Sequence, residues 1–173
     1  TPFILFEDER LTFAEANARA NRVAHAAAAA GLKKGDVIAL MMYNRPDFVV
    51  MWLGLTKIGV VTALINTSAT GTVLAHAMKQ VGAKGLIVDS ELAGAVADLD
   101  AGDVPALLWE QAEAGRPMFG LTGAKDFNAA MAAASDTNPD PSARAGVVMA
   151  DPTRKIRLAN SARTQESQTG SSW

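Results

Sequence analysis

Two periods of hydrophobic and polar positions alternate along the first hundred residues. Short, almost uninterrupted apolar runs at 36–42, 60–65 and 84–88 predict strands, because a strand covered on both faces of a parallel sheet shows little alternation. Segments at 13–30 and 70–81 carry apolar residues three and four positions apart, which predicts helices. The repeated strand and helix order predicts an α/β fold, a mostly parallel sheet flanked by helices.

Local signals set the expected helix ends. Thr12 and Glu15 form a Thr-x-x-Glu capping box at the start of the first helix, and Gly31 supplies its stop. Its expected inward stripe is Phe13, Ala16, Ala20, Val23 and Ala27. A second helix should be capped by Asn44, carry Pro46 and Asp47 in its first turn, and close at Lys57 to Gly59. It is apolar almost all round, so we expect it to be packed on several sides.

The flanking segments carry weaker signals. Residues 3–7 and 10–12 predict a strand pair around the acidic turn, and 90–99, 105–109 and 126–134 predict a helix, a strand and a helix. The helix at 70–81 should point Val73, Leu74, Ala77, Met78 and Val81 inward. From Ser135 the chain turns polar, so we expect a domain at 1–144 and an irregular tail at 145–173.

Composition narrows the class of protein. The chain is 49% hydrophobic and 20% charged with a net charge of -2, which is typical of a globular protein and argues against a nucleic-acid partner. It has no cysteine and only two histidines, so no metal ligand is predicted. No apolar run reaches the roughly 18 residues that span a bilayer. The chain begins without an initiator methionine or a signal-peptide pattern, so we expect an excised or truncated piece. We expect a cytoplasmic location, with peripheral membrane association left open.

The titratable candidates have simple structural interpretations. His25 and His76 lie on polar helix sides without an orienting acid, which is typical of surface histidines. Four carboxylates could form pairs of catalytic acids: Asp36, Asp47, Asp89 and Glu91. However, each is expected at a strand entry or a helix start, where carboxylates are common for structural reasons. We therefore assign no catalytic residue.

The apolar candidates are interpreted in the same way. Phe48, Met51 and Trp52 could line an acyl pocket, but an apolar stripe at helical spacing is usually core, and Met41 with Met42 fits strand packing. Neither a dinucleotide fingerprint nor a Walker loop is present, so cofactor-binding residues remain unknown.

Four phrases follow one another along the chain: Leu-Thr-Phe-Ala-Glu-Ala-Asn at 11–17, Gly-Leu-Lys-Lys-Gly-Asp-Val-Ile-Ala at 31–39, Asn-Arg-Pro-Asp-Phe-Val-Val-Met-Trp-Leu-Gly-Leu at 44–55 and Lys-Ile-Gly-Val-Val-Thr-Ala-Leu-Ile-Asn-Thr at 57–67. Together they resemble the opening of adenylate-forming ligases. The third and fourth, with Leu-Ala-His-Ala at 74–77, are most similar to the branch of fatty acid transport proteins and very-long-chain acyl-CoA synthetases. The resemblance implies part of the N-terminal domain of the acyl-CoA synthetase fold. For the whole enzyme it implies ATP, Mg²⁺ and coenzyme A, with a fatty acid activated through an acyl-adenylate.

The resemblance breaks where the phosphates of ATP should bind. The family's Gly-rich loop ending in Pro-Lys is replaced around 159–170 by Ala-Asn-Ser-Ala-Arg-Thr-Gln-Glu-Ser-Gln-Thr-Gly, which lacks the glycine spacing and the lysine. We therefore expect a fragment that is inactive alone. A shifted reading frame or a misread exon boundary would explain the break. The alternatives are a non-catalytic α/β binding or scaffold protein, or another adenylate-forming enzyme such as an aryl-CoA ligase.

Overall fold

The structure is a computed structural model that describes residues 1–140. The predicted boundary at 144 and the predicted tail at 145–173 lie outside the described residues. The elements are β1 (Pro2–Phe6), β2 (Glu9–Thr12), α1 (Phe13–Ala29), β3 (Val37–Met41), α2 (Pro46–Lys57), β4 (Val61–Leu64), α3 (Gly71–Gln80), β5 (Gly85–Asp89), α4 (Ala93–Ala97), β6 (Leu107–Gln111), β7 (Lys125–Asp126) and α5 (Phe127–Ala132).

The main sheet has the order β4-β3-β5-β6-β7, with every pair parallel. The mostly parallel α/β fold is therefore confirmed. From β3 the chain first moves outward to β4 and then crosses back to β5, so the direction of winding reverses between β3 and β5. In open α/β sheets, such a reversal leaves a crevice at the carboxyl ends of the strands.

Helices cover both faces of this sheet. The buried side chains of α1, α2 and α5 pack on one face, against Ile38, Leu40 and Ile87. Those of α3 and α4 pack on the other face, against Ala39 and Leu86. Consecutive residues of β3 and β5 thus point into opposite cores, which explains their continuous apolar sequence.

The β1–β2 hairpin forms a separate antiparallel pair before α1. The predicted capping box is present: the Glu15 N–H donates to Thr12 Oγ1 at 3.3 Å, and the Thr12 N–H donates to Glu15 Oε2 at 2.8 Å. Gly31 has a positive φ of 87° just beyond α1, as expected for a stop. The first helix therefore begins and ends where its sequence predicts.

Several predicted orientations are wrong. Phe13 is 59% exposed, because it lies in the first turn of α1 and stacks on Phe3 of the hairpin with 4.5 Å between ring centroids. Val73 is 66% exposed and Val81 is also exposed, since α3 buries only a narrow stripe centred on Leu74 and Met78.

The second helix also departs from its prediction. Its N-cap is Arg45 rather than Asn44, and no side chain caps it. Trp52 is 44% exposed, so α2 is not packed all round within the described residues. The helix predicted at 90–99 is a 3₁₀ turn, Ser90–Leu92, followed by the short α4, and the unpredicted β7 extends the sheet.

Candidate functional site

Arg45 lies at the centre of a charged cluster where β3, β5 and β6 end. Its Nη2 is 2.7 Å from Glu91 Oε1 and 3.6 Å from Asp89 Oδ2, and its Nη1 is 2.9 Å from Glu113 Oε2. The Tyr43 ring centroid lies 5.2 Å from the guanidinium carbon, within cation–π range. We call Arg45, Asp89, Glu91 and Glu113 the Arg45 cluster. One side chain thereby joins the segments that follow three strands.

Asp89 explains why this guanidinium is held in place. It is the last residue of β5 and is 1% exposed. Its Oδ1 accepts a hydrogen bond from the Glu91 N–H at 3.1 Å, while its buried Oδ2 has no hydrogen-bond partner within the described structure. A buried carboxylate needs an opposite charge, and Arg45 supplies it. Burial by itself would lower the pKa of Arg45, but Glu91, Asp89 and Glu113 raise it above its usual range.

We predict that Arg45→Lys lowers the free energy of unfolding by about 1–2 kcal/mol, because an ammonium cannot hold Glu91 and Glu113 with two separate nitrogens. Urea unfolding followed by circular dichroism measures it. The matched control is Arg116→Lys, since Arg116 is exposed and lies 3.5 Å from Glu113. It should change stability by less than about 0.5 kcal/mol. Equal losses in both variants would contradict the bridging role.

Asp47 and Gln111 form a second polar contact at the same edge. The Gln111 Nε2 donates to Asp47 Oδ2 at 3.2 Å, and Arg19 Nη1 lies 3.6 Å from Asp47 Oδ1. Burial raises the pKa of Asp47, and the charge of Arg19 opposes that rise without cancelling it. The start of α2 is therefore tied to the end of β6 and to α1.

Glu110, next to Gln111 on β6, is a buried carboxylate held by four donors. Ser90 Oγ donates to its Oε1 at 2.6 Å, and the N–H groups of Leu121 and Gly120 donate to its Oε2 at 2.8 and 3.1 Å. The Phe119 N–H donates to Oε1 as well. Burial would raise the pKa of Glu110, but these hydrogen bonds lower it. The carboxylate therefore holds the loop after β6 against the sheet edge.

This arrangement is poorly suited to phosphate. The Arg45 cluster contains one guanidinium and three carboxylates, so a triphosphate would meet a net negative charge. The successive N–H groups at 119–121, which could have formed an anion-binding nest, are already occupied by Glu110. No group of three histidine or carboxylate side chains suited to a metal ion occurs within residues 1–140.

Three of the four carboxylates considered from the sequence meet at this edge. Asp47, Asp89 and Glu91 belong to it, whereas Asp36 precedes β3 at the opposite end, 2.7 Å from Lys84 Nζ. Lys84, together with the Lys33 N–H, lowers the pKa of Asp36. The interpretation of all four as strand-entry or helix-start residues is confirmed.

Sequence reasoning missed four polar residues of this edge: Arg45, Glu110, Gln111 and Glu113. A usable signal existed, because charged residues follow β3, β5 and β6, and carboxyl ends of parallel strands meet at one edge. To identify these residues from that signal, the order of the strands in the sheet must be known, and the sequence alone did not predict that order.

The histidines and apolar candidates separate in the structure. His76 is exposed, while His25 is half-buried with its Nε2 3.0 Å from the Thr137 carbonyl oxygen. Met41, Met42 and Met51 are buried in the two cores, as predicted. Trp52 is not core. Within residues 1–140, neither histidine has a carboxylate partner that would orient it for general base catalysis.

An apolar groove of about 340 Å³ lies between the hairpin, α1 and α2. Phe3, Phe13, Ala16, Ala20 and Leu53 supply its apolar walls. It lies on the helical side of the molecule and shares no lining residue with the Arg45 cluster.

Comparison with known proteins gives three kinds of similarity. A profile of the AMP-binding enzyme family matches residues 1–154. Long-chain fatty acid transport protein 6 of Homo sapiens is 39% identical over 99 residues, and medium/long-chain-fatty-acid–CoA ligase FadD6 of Mycobacterium tuberculosis is 41% identical over 99 residues. Each alignment covers 57% of this chain, but the chain spans only 16% and 17% of those relatives.

Solved structures share the fold. A Mycobacterium tuberculosis fatty acyl CoA synthetase superposes with a TM-score of 0.62 at 28% identity, covering 76% of this chain and 24% of that one. The anthranilate CoA ligase AuaEII superposes with a TM-score of 0.69 at 20% identity, covering 79% and 26% of the two chains. At 20% identity, this similarity shows a shared fold and does not indicate a shared substrate.

Proposed function

The chain belongs to the AMP-binding enzyme family, and on that premise we propose that it is part of a long-chain or very-long-chain fatty acid:CoA ligase. The observation that carries the proposal is the identity of about 40% to fatty acid transport proteins and to a medium/long-chain ligase over 99 residues. A fold alone hosts many activities, so the substrate class rests on these relatives and not on the sheet.

In the proposed reaction a fatty acid carboxylate attacks the α-phosphate of ATP, giving an acyl-adenylate and pyrophosphate. The thiol of coenzyme A then attacks the acyl carbon and releases AMP. Phosphoryl chemistry of this kind needs cations and backbone donors aimed at the phosphate oxygens. Residues 1–140 do not fit that task, because the Arg45 cluster is acidic and the N–H groups at 119–121 are taken. We therefore assign these residues no step of catalysis.

We assign them a supporting role instead. The Arg45 cluster joins the segments after β3, β5 and β6, and Glu110 holds the loop at 112–123. A rigid scaffold improves the precision of a site built on it. On this proposal the chain supplies a wall of the enzyme and does not turn over substrate by itself.

Formation of acyl-CoA tests the proposal directly. The 173-residue chain and a chain extended through the downstream sequence are each incubated with ATP, Mg²⁺, coenzyme A and a long-chain fatty acid. We expect product only from the extended chain, with benzoate as the control substrate giving far less. Turnover by the short chain would show that a catalytic site has been overlooked. If neither chain forms acyl-CoA, the ligase proposal is wrong and a binding or scaffold role is favoured.

Location follows from the same proposal. None of the helices within residues 1–140 is long and apolar enough to cross a bilayer. The human relative is named a long-chain fatty acid transport protein. A cytoplasmic enzyme with peripheral membrane contact fits this setting.

A further inference from the structure

The two edges of the main sheet are built differently. β7 ends the sheet with only two residues, Lys125 and Asp126, both of them charged and exposed. A short length and charged side chains are common protections of a sheet edge against pairing with another chain. At the other end of the sheet, β4 carries Val-Thr-Ala-Leu at 61–64 and has no charged residue. The edge formed by β4 is therefore the unprotected one.

The main-chain groups of β4 alternate between the two sides of the strand. The N–H groups of Val61 and Ile65 donate to carbonyl oxygens of the β3 segment at 2.8 and 2.9 Å, so they point toward β3. Because successive residues of a strand turn their main-chain groups to opposite sides, the N–H and C=O groups of Thr62 and Leu64 point outward. Within residues 1–140, no strand pairs with that outer side. Two donors and two acceptors are therefore available at the edge.

The sequence around β4 suits pairing with another strand. Between Lys57 and Lys79 the chain has no Asp, Glu, Lys or Arg. The run Val-Val-Thr-Ala-Leu-Ile-Asn at 60–66 is rich in β-branched and apolar residues and has no proline or glycine, a composition that favours strand addition. Leu64 is 54% exposed. Pairing would cover this apolar side chain, and two identical edges would meet without opposing like charges.

The available groups are arranged symmetrically about Ala63. When two β4 strands are placed antiparallel with Ala63 opposite its counterpart, Thr62 of each copy lies opposite Leu64 of the other. Each of these opposing pairs exchanges two N–H···O=C bonds, so this register uses every outward group of Thr62 and Leu64. The two Ala63 residues then form a non-hydrogen-bonded pair with Cα atoms about 4.5 Å apart, where side chains are closest. Methyl groups are small enough for that position.

We propose that β4 is a self-pairing edge, through which two copies of this chain join their five-stranded sheets into one continuous sheet. The partner is a second copy because the edge is self-complementary: donors meet acceptors, Ala63 meets Ala63, and no charge meets its like. This inference does not depend on the proposed function. A few main-chain hydrogen bonds and one leucine make a small interface, so we expect a weak dimer that dissociates on dilution.

Sedimentation equilibrium of the 173-residue chain measures the self-association. The average mass should rise from 18.1 kDa at about 1 µM toward twice that value at about 500 µM. Leu64→Lys places a charge on the edge and should weaken the association at least about tenfold. The matched control is Val73→Lys, since Val73 is 66% exposed on α3 and lies outside β4. It should change the association constant by less than about twofold.

Two results of this measurement would count against self-pairing through β4. A chain that stays monomeric at every concentration has no such interface. Equal effects of Leu64→Lys and Val73→Lys would place the interface elsewhere or make the association non-specific. Circular dichroism of both variants should match that of the unsubstituted chain, because both side chains are largely exposed.

Disulfide formation tests the register, because the chain has no cysteine of its own. Ala63→Cys places two thiols directly opposite each other, at a Cα distance that a disulfide spans. Two Leu64→Cys thiols lie on a diagonal about 7–8 Å apart, beyond that range. Ala63→Cys should therefore crosslink at least about tenfold faster, although Leu64 is the more exposed position. Adding Leu64→Lys should abolish the crosslink. Equal or faster crosslinking of Leu64→Cys would overturn the antiparallel register.

The chain extended through the downstream sequence distinguishes a second copy from another occupant of the edge. On this proposal Ala63→Cys crosslinks in the extended chain too, at a rate that rises with protein concentration. If the extended chain is monomeric and its Leu64→Cys thiol is protected from labelling, a strand of the downstream sequence covers β4 and self-pairing is wrong. Formation of acyl-CoA is measured separately, so a failure of the ligase proposal leaves this result unaffected.

Discussion

Gly54→Val is expected to lower the free energy of unfolding by about 4 kcal/mol or more and to leave most of the chain unfolded at 37 °C. Gly54 lies where α2 crosses α1. A Cβ atom built on it would lie 2.6 Å from both the Ala20 carbonyl oxygen and Val23 Cγ1, and would clash with Val23 Cβ. Since one obstacle is helix backbone, a rotamer change cannot relieve the clash, and the helices must separate.

Separation of these helices would expose much of one core. Val23 and Leu55, on either side of the crossing, are fully buried in the cluster that also contains Ile38 of β3. Urea unfolding followed by far-ultraviolet circular dichroism measures the loss. The matched control is Gly94→Ala in α4, where an added Cβ meets nothing within 4 Å. It should be neutral or stabilising by up to about 1 kcal/mol. A Gly54→Val midpoint equal to that of the unsubstituted chain would show that the helices are not packed as described.

Glu110→Gln should be the second most damaging substitution, with a loss of about 3 kcal/mol at pH 7. The variant keeps the shape of the side chain but replaces one of the two charged oxygens with an NH₂ group, which cannot accept a hydrogen bond. Since Phe119 donates to Oε1 and Leu121 donates to Oε2, one side of the amide must face an N–H group that it cannot bind. The loop at 112–123 should exchange its amide hydrogens faster, which mass spectrometry can follow. The control is Glu7→Gln in the exposed hairpin turn, expected to stay within about 0.5 kcal/mol.

The same carboxylate gives a defined pH dependence. Its pKa is lower in the folded chain than the ordinary value of 4.5. Its contribution is therefore complete above the unfolded pKa and is lost as the pH falls through the lower folded pKa. The stability difference between the unsubstituted chain and Glu110→Gln should be constant from pH 6 to 7 and shrink below about pH 4. A difference that grows on acidification would contradict the assigned sign.

Part of the candidate site could be predicted from the sequence. Asp47 and Asp89 were interpreted as carboxylates at a strand entry or a helix start, and the structure places both at helix starts. Arg45 was not identified from the sequence, although it lies at the centre of the cluster. Its partners Glu91 and Glu113 are 46 and 68 positions away. No local pattern links residues that far apart, so their meeting depends on which strands are neighbours.

The errors in predicted orientation share one cause. Periodicity gives the angle of a side chain around its helix, but it does not say whether another element covers that angle. Phe13 is apolar and lies at an expected position, yet only Phe3 of the hairpin covers it in part. Asn21 shows the opposite case, because it is polar but only 1% exposed, and its Nδ2 donates to the carbonyl oxygen of Asp136, 115 positions away.

The sequence by itself therefore determined the order and type of most elements, the capping box of α1, the apolar strands and the resemblance to the family. These depend on neighbours within a few residues or on phrases that can be read directly. Only the tertiary structure decided the strand order, the meeting of Arg45 with three carboxylates, the hydrogen bonds of Glu110 to the loop at 112–123 and the contact of residues 136–138 with α1. Each of these joins segments distant in the chain, and which segments meet is decided by packing the two helical layers on the sheet.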